Sequence, residues 1–420
     1  MEETELKTLA EKNKAKIVLA ACVAFNLSIG VLYAWSVLKS KLTAPAGEGG
    51  WEWTASQAGL PYTVAIIVFA AAMLVGGRAQ DRIGPRRVAI AGGVLTGLGI
   101  ALSGLVGNSF AGITLCFGVM AGAGMGLGYG CIVPSALKWF HPSKKGFVSG
   151  LIVGGFGLSA VYFAPLTNAL LGRLGIGTAL ICIGGGVLAV SVSVAMLIKN
   201  PPPGYVPAAP AKPKGPAAGA GAPAVEISSK GMLKTKRFYM MFAILLLTAS
   251  VGLMFIGNIT RIVQAQAGID DAAVLAVIVS LLALVNTAGR VTGGMISDKI
   301  GRTRTLYLLL SAQLLNMAAF AFYRSLPLLI VGIVGVGYCF GAVLGLFPAF
   351  TADQFGLRSF GANYGIMFMA WGFAGIAAPV AADFLYDASG DFNAAYIICA
   401  VTMAAMLCLN FLLQKDIAKR

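Results

Sequence analysis

What most limits this chain is an apolar run of about twenty residues that recurs along its whole length, the length a helix needs to cross roughly 30 Å of hydrocarbon. Backbone in lipid must satisfy its own hydrogen bonds, and runs of this length and composition do so as helices. Twelve spans can be placed, near 17–38, 58–77, 88–106, 111–134, 147–170, 176–198, 239–260, 272–296, 305–323, 327–350, 360–382 and 394–413. Only 11% of the 420 residues are charged, against about 25% in soluble domains, and mean hydropathy is +0.84. The expectation is an all-α, multi-pass membrane protein. The charged stretch 1–16 leads straight into the first span, so no short cleavable leader is expected.

A net charge of +15 suggests nucleic acid only until its placement is examined. An even number of spans puts both termini on one side. The 31 Lys and Arg then divide as 25 on the terminal side, five on the other (Lys39, Lys41, Arg173, Arg261, Arg324) and one, Arg290, inside a span. The positive-inside rule makes the termini cytoplasmic, with the bilayer and not nucleic acid as the partner. Seven scattered cysteines without a CxxC pair read as small apolar packing residues.

Arg290 sits in the otherwise nearly charge-free stretch 272–297. A guanidinium near the bilayer centre costs about 2.5–3.5 kcal/mol on insertion scales, and arginine cannot shed its proton to escape. No Asp or Glu lies mid-span elsewhere, so an anionic substrate, a carboxylate, is the expected partner. Asn286 lies four residues earlier and shares its helix face. It can donate to the same anion or accept from Arg290 and hold the fork in place.

The stretch 201–223, rich in Pro, Ala and Gly, has almost nothing to bury. It divides the chain into an N-terminal six-helix bundle (1–200), a cytoplasmic linker (201–236) and a C-terminal six-helix bundle (237–420). The halves read as copies. Gly77-Arg-Ala-Gln-Asp81-Arg82-Ile-Gly84-Pro85-Arg86-Arg87 follows span 2, and Gly294-Met-Ile-Ser-Asp298-Lys299-Ile-Gly301-Arg302-Thr-Arg304 follows span 8. A turn glycine, an aspartate and basic residues at a helix end can form a charge-paired latch. Glycines within spans, such as 122–130 and 150–157, suit close, mobile helix packing.

This repeated motif resembles that of the major facilitator superfamily, in the loop after span 2 and often again after span 8. The resemblance covers the whole chain and implies two pseudo-symmetric six-helix bundles giving alternating access. Gating residues would be Asp81, Arg82, Gly84, Arg86, Asp298, Lys299, Gly301 and Arg302, with the aspartates holding the outward-open state. Within the superfamily the chain is similar to the monocarboxylate transporter and oxalate/formate antiporter group. The resemblance rests on Glu48-Gly-Gly-Trp51-Glu52-Trp53, on Trp139-Phe140 with Lys144-Lys145-Gly146, on Asn286 to Arg290 and on Asn363-Tyr364-Gly365. It implies that Arg290 and Asn286 bind a carboxylate in a pocket shaped by Tyr33, Tyr129, Phe340, Leu344, Phe368 and Trp371.

Two departures narrow the expected substrate. Trp371 stands where the antiporter group has a lysine, so one cation favours a small monoanion over a dianion. Asn286 stands where animal monocarboxylate carriers have a titratable Asp. The expectation is proton symport of lactate, pyruvate or a similar acid, with the proton as coupling ion, no cofactor and no metal, in a chain working as a monomer. Exchange of one carboxylate for another is the alternative, with a non-transporting receptor a distant third. One histidine and no metal-ligand spacing argue against an enzyme. The lack of glycosylation and cleavage signals points to a bacterial inner membrane.

Overall fold

The computed structural model describes residues 2–207 and 226–418, except the side chains of 2–10, 12, 33, 34, 55, 272, 379 and 383. The middle of the expected linker, 208–225, therefore lies outside the described residues, as does the Tyr33 side chain. Among the described residues the chain is helical throughout, with fourteen α-helices. They are α1 (Glu2–Ile29), α2 (Trp35–Thr43), α3 (Ala55–Ile83), α4 (Pro85–Leu105), α5 (Phe110–Ile113), α6 (Gly122–Leu137) and α7 (Lys145–Ala195). After the linker come α8 (Ser229–Met232), α9 (Lys236–Ala267), α10 (Ala272–Ile300), α11 (Arg302–Phe320), α12 (Leu326–Phe355), α13 (Phe360–Ser389) and α14 (Asn393–Ala418).

Nine of these helical stretches are long and apolar enough to cross a membrane. The twelve expected spans are recovered when three local features are considered. The long helix α7 holds two spans, since Gly175 breaks its dihedrals at φ 73°, ψ 173°. Span 1 is interrupted, with a 3-10 turn at Val31–Ala34 between α1 and α2. Span 9 is α11, shortened and made more polar by Arg302, Arg304, Gln313 and Asn316. Span 4 holds a π-helical stretch, Thr114–Ala121, between α5 and α6.

Local chemistry sets several boundaries. Thr54 and Gln57 form a reciprocal capping box at the start of α3. Asp271 accepts from the Ala273 amide at 2.7 Å and opens α10. Many outward side chains are apolar, among them Leu315, Val331 and Ile397, as a hydrocarbon solvent permits and water does not.

The chain forms two compact units: unit 1 is Met1–His141, Gly155–Pro210 and Leu357–Gly365, and unit 2 is Pro142–Gly154, Ala211–Gly356 and Ile366–Arg420. The start of α7 thus belongs to unit 2 and the start of α13 to unit 1. The described flanks of the linker are packed. In unit 1 the Tyr205 hydroxyl donates to the Trp139 carbonyl at 3.2 Å, and burial first and Glu11 second raise its pKa, so the donor keeps its proton. In unit 2 the Ile227 amide donates to the Phe355 carbonyl at 3.0 Å.

Candidate functional site

In unit 2, α10 and α12 meet along glycines. A Cβ on Gly341 would lie 1.9 Å from the Asn286 carbonyl oxygen, and one on Gly345 would lie 2.1 Å from that of Arg290. On the α10 side, a Cβ on Gly289 would lie 2.3 Å from the Tyr338 carbonyl oxygen. The first turns of α7 approach α10 in the same way. A Cβ on Gly150 would sit 2.2 Å from the Arg290 carbonyl oxygen, and one on Gly146 would sit 2.2 Å from that of Gly294. Close backbone approach of this kind is what small residues allow inside a membrane.

Arg290 lies at this junction, 2% exposed, beside Asn286 at 5%. Its Nε donates to Asn286 Oδ1 at 2.9 Å, and its Nη1 donates to the Val153 carbonyl at 2.8 Å. Both of these acceptors are neutral. They fix the plane of the guanidinium, whose rigid fork of N–H donors matches planar acceptors. The Val153 carbonyl is a partner that sequence reasoning missed. The glycine spacing of Gly146, Gly150 and Gly154 was the signal that α7 begins flat against another helix.

Four other expected pocket residues, Phe340, Leu344, Phe368 and Trp371, share unit 2 with Arg290. Phe340 and Leu344, one turn apart on α12, are buried. Phe340 presses on α9 where Gly252 makes room, since a Cβ there would lie 2.3 Å from the ring. Phe368 and Trp371 stack with centroids 5.2 Å apart. Tyr129 belongs to unit 1, buried against Phe69 at 5.5 Å and Phe156 at 5.3 Å. Tyr33 stands in the 3-10 turn of unit 1.

The repeated motif also resolves into contacts. In unit 2, Asp298 accepts from the Gly146 and Phe147 amides, both at 2.8 Å, and pairs with Arg302 at 2.8 Å. Arg302 also reaches Asp353 at 2.9 Å, and Lys145 reaches Asp353 at 3.0 Å. Lys145 and Asp353 complete this network, although neither was among the expected gating residues. Gly301 (φ 95°) makes the turn, and Lys299 is exposed beside it. In unit 1, Asp81 accepts from Gln80 Nε2 and the Ala362 amide and faces Lys138 at 4.0 Å. Gly84 (φ 87°) makes the turn there, while Arg82 and Arg86 are exposed.

The other quoted motifs are structural. Glu52, at φ 57°, accepts from the Ala46 amide at 3.1 Å, and Trp53 Nε1 donates to Asn108 Oδ1. Asn363 and Tyr364 are buried, and Gly365 lies against Leu74 of α3.

Two units of spanning helices, with one motif repeated at the same place in each, define a multi-pass membrane transporter. The chain belongs to the Major Facilitator Superfamily, which it matches over residues 17–379. It is 28% identical to the uncharacterized MFS-type transporter YhjX of Escherichia coli over 376 residues, 86% of this chain and 85% of the relative. It is 26% identical to the oxalate:formate antiporter of Oxalobacter formigenes, over 92% and 88% of the two chains. Monocarboxylate transporter 12 of Rattus norvegicus is 24% identical over 74% and 69%. The transporter FucP, solved in an outward conformation, shares the fold with a TM-score of 0.67 at 16% identity, over 93% of this chain and 98% of that one. The chain fits the monocarboxylate and oxalate–formate group of the superfamily.

Proposed function

We propose that this protein is a secondary transporter of small monocarboxylates, such as lactate or pyruvate, working by proton symport and alternating access. The observation that carries the reading is Arg290: a buried guanidinium whose fork is set by Asn286 and the Val153 carbonyl. For unit charges about 4 Å apart at an effective dielectric of about 20, attraction is roughly 4 kcal/mol. That offsets part of the desolvation of a small anion without making it irreversible. Phe340, Leu344, Phe368 and Trp371, with Tyr129 and Tyr33, would supply the apolar wall. A monoanion moving with one proton transfers no net charge. The two-bundle division at 201–236, cytoplasmic termini, a bacterial inner membrane and a monomeric working unit complete the reading.

The motif residues would act as latches. Asp81 and Asp298, each on backbone amides at the start of another helix, would hold one conformation and release in the other. Exchange of carboxylates is the second reading, favoured by the relative named as an oxalate:formate antiporter.

Uptake of labelled L-lactate into proteoliposomes, with and without an inward proton gradient, tests this. Accumulation driven by the gradient is expected, together with its loss in Arg290→Ala that still inserts and folds. Uptake indifferent to the gradient would remove the proton. Uptake only into vesicles preloaded with a carboxylate would favour exchange.

A further inference from the structure

In unit 1, the turn between α3 and α4 and the residues just past α7 line an open cavity of about 470 Å³, within the roughly 300–1,000 Å³ of small-molecule sites. Its lining includes Arg82, Arg86, Arg87, Lys199 and Asn200 and contains no acid. Among the described residues, none of these four cations lies within 4.0 Å of a carboxylate. Asp81, their neighbour in sequence, is directed to Gln80, Lys138 and the Ala362 amide.

The cations stand on a fixed backbone. Pro85 opens α4, a helix of 21 residues, with no side-chain cap at its N-terminus. Its first amides and its dipole therefore favour an anion at the same place as the arginines. Lys199 is pinned by its own carbonyl, which accepts from Trp139 Nε1 at 2.7 Å and Ser135 Oγ at 3.2 Å. Setting topology needs positive charge in a loop; it does not need four charges gathered round a concavity on a held backbone.

The rim identifies the anion further. Ile83, which lines the cavity, and Met196 and Leu197, which lie three and two residues before the lining Lys199, are 52%, 56% and 50% exposed. A free inorganic anion has no use for an apolar rim, whereas a phosphate carrying acyl chains does. Basic pockets at the ends of membrane helices are suited to such headgroups.

We propose that this cavity seats the phosphate of an anionic phospholipid, a lipid site separate from the transported carboxylate. The test is native mass spectrometry of the detergent-purified full chain, offered dioleoyl-phosphatidylglycerol or dioleoyl-phosphatidylcholine at equal concentration. Phosphatidylglycerol should be retained at least about five-fold better, the effect of a single juxtamembrane charge. Arg87→Gln/Lys199→Gln should weaken its retention by about thirty-fold, the effect of two charges. Arg87→Lys/Lys199→Arg should keep most of it, and so separates loss of charge from loss of fold. Equal retention by wild type and the glutamine variant, or no preference over phosphatidylcholine, would overturn the site. Displacement of the lipid by millimolar inorganic phosphate would overturn the lipid as its occupant.

Discussion

The turn after α3 and the turn after α10 share one backbone and differ in chemistry. Gly84 and Gly301 adopt nearly the same dihedrals, φ 87°, ψ 156° and φ 95°, ψ 156°. Gly77 meets Gly361 as Gly294 meets Gly146. Each aspartate accepts from the amide just after that facing glycine. The difference begins one residue beyond the turn, where unit 1 has Pro85 and unit 2 has Arg302. Arg302 links Asp298 to Asp353, and Lys145 completes the chain; Asp81 has a single lysine at 4.0 Å. The copies thus retain the geometry that lets two helices dock, while only the second adds a buried ionic network. Symmetry in the motif is therefore symmetry of backbone and not of strength.

The largest break in this comparison should come from Arg302→Ala. It leaves Asp298 with only the Gly146 and Phe147 amides and Asp353 with only Lys145, and removing one partner of a buried pair costs about 3–5 kcal/mol. The thermal midpoint in detergent should fall sharply, and transport with it. Of middling size, and alike in both units, should be Gly84→Ala and Gly301→Ala. Each forces a side chain into a region of positive φ and extended ψ that is essentially reserved for glycine, at a cost of about 1–3 kcal/mol. Unequal losses in the same unfolding assay would show that the turns are less alike than their dihedrals. The smallest effect belongs to Lys138→Gln, whose partly exposed pair is worth about 0–1 kcal/mol. Its shift should shrink further as salt rises, and a loss as large as that of Arg302→Ala would erase the asymmetry.

Much of this was legible along the chain because helices are written locally. Span length, the duplicated motif and the Asn286–Arg290 pair depend on residues within one or two turns of each other, and all are found where the sequence puts them. What escaped depends on distant partners. Nothing near Val153 says that its carbonyl meets Arg290, 137 positions away. Lys145 and Asp353 are 208 positions apart, and each read alone as a charge at a span end. The pairing of Arg302, rather than Lys299, with Asp298 follows from helix phase. Arg302 is four residues on and returns to the same face, whereas Lys299 is adjacent and points away. The 3-10 turn in span 1 interrupts an apolar run, where hydropathy gives no mark, whereas the break at Gly175 falls between the expected spans 147–170 and 176–198.

The contact between Gly146 and Gly294, and that between Gly77 and Gly361, has a genetic consequence. Any missense change at these codons adds at least a methyl group where the opposing carbonyl oxygen would lie 2.0 to 2.3 Å from it. Such positions have no conservative replacement. The chain can drift freely in its lipid-facing side chains, but at these seams inheritance is confined to the residue that has no side chain at all.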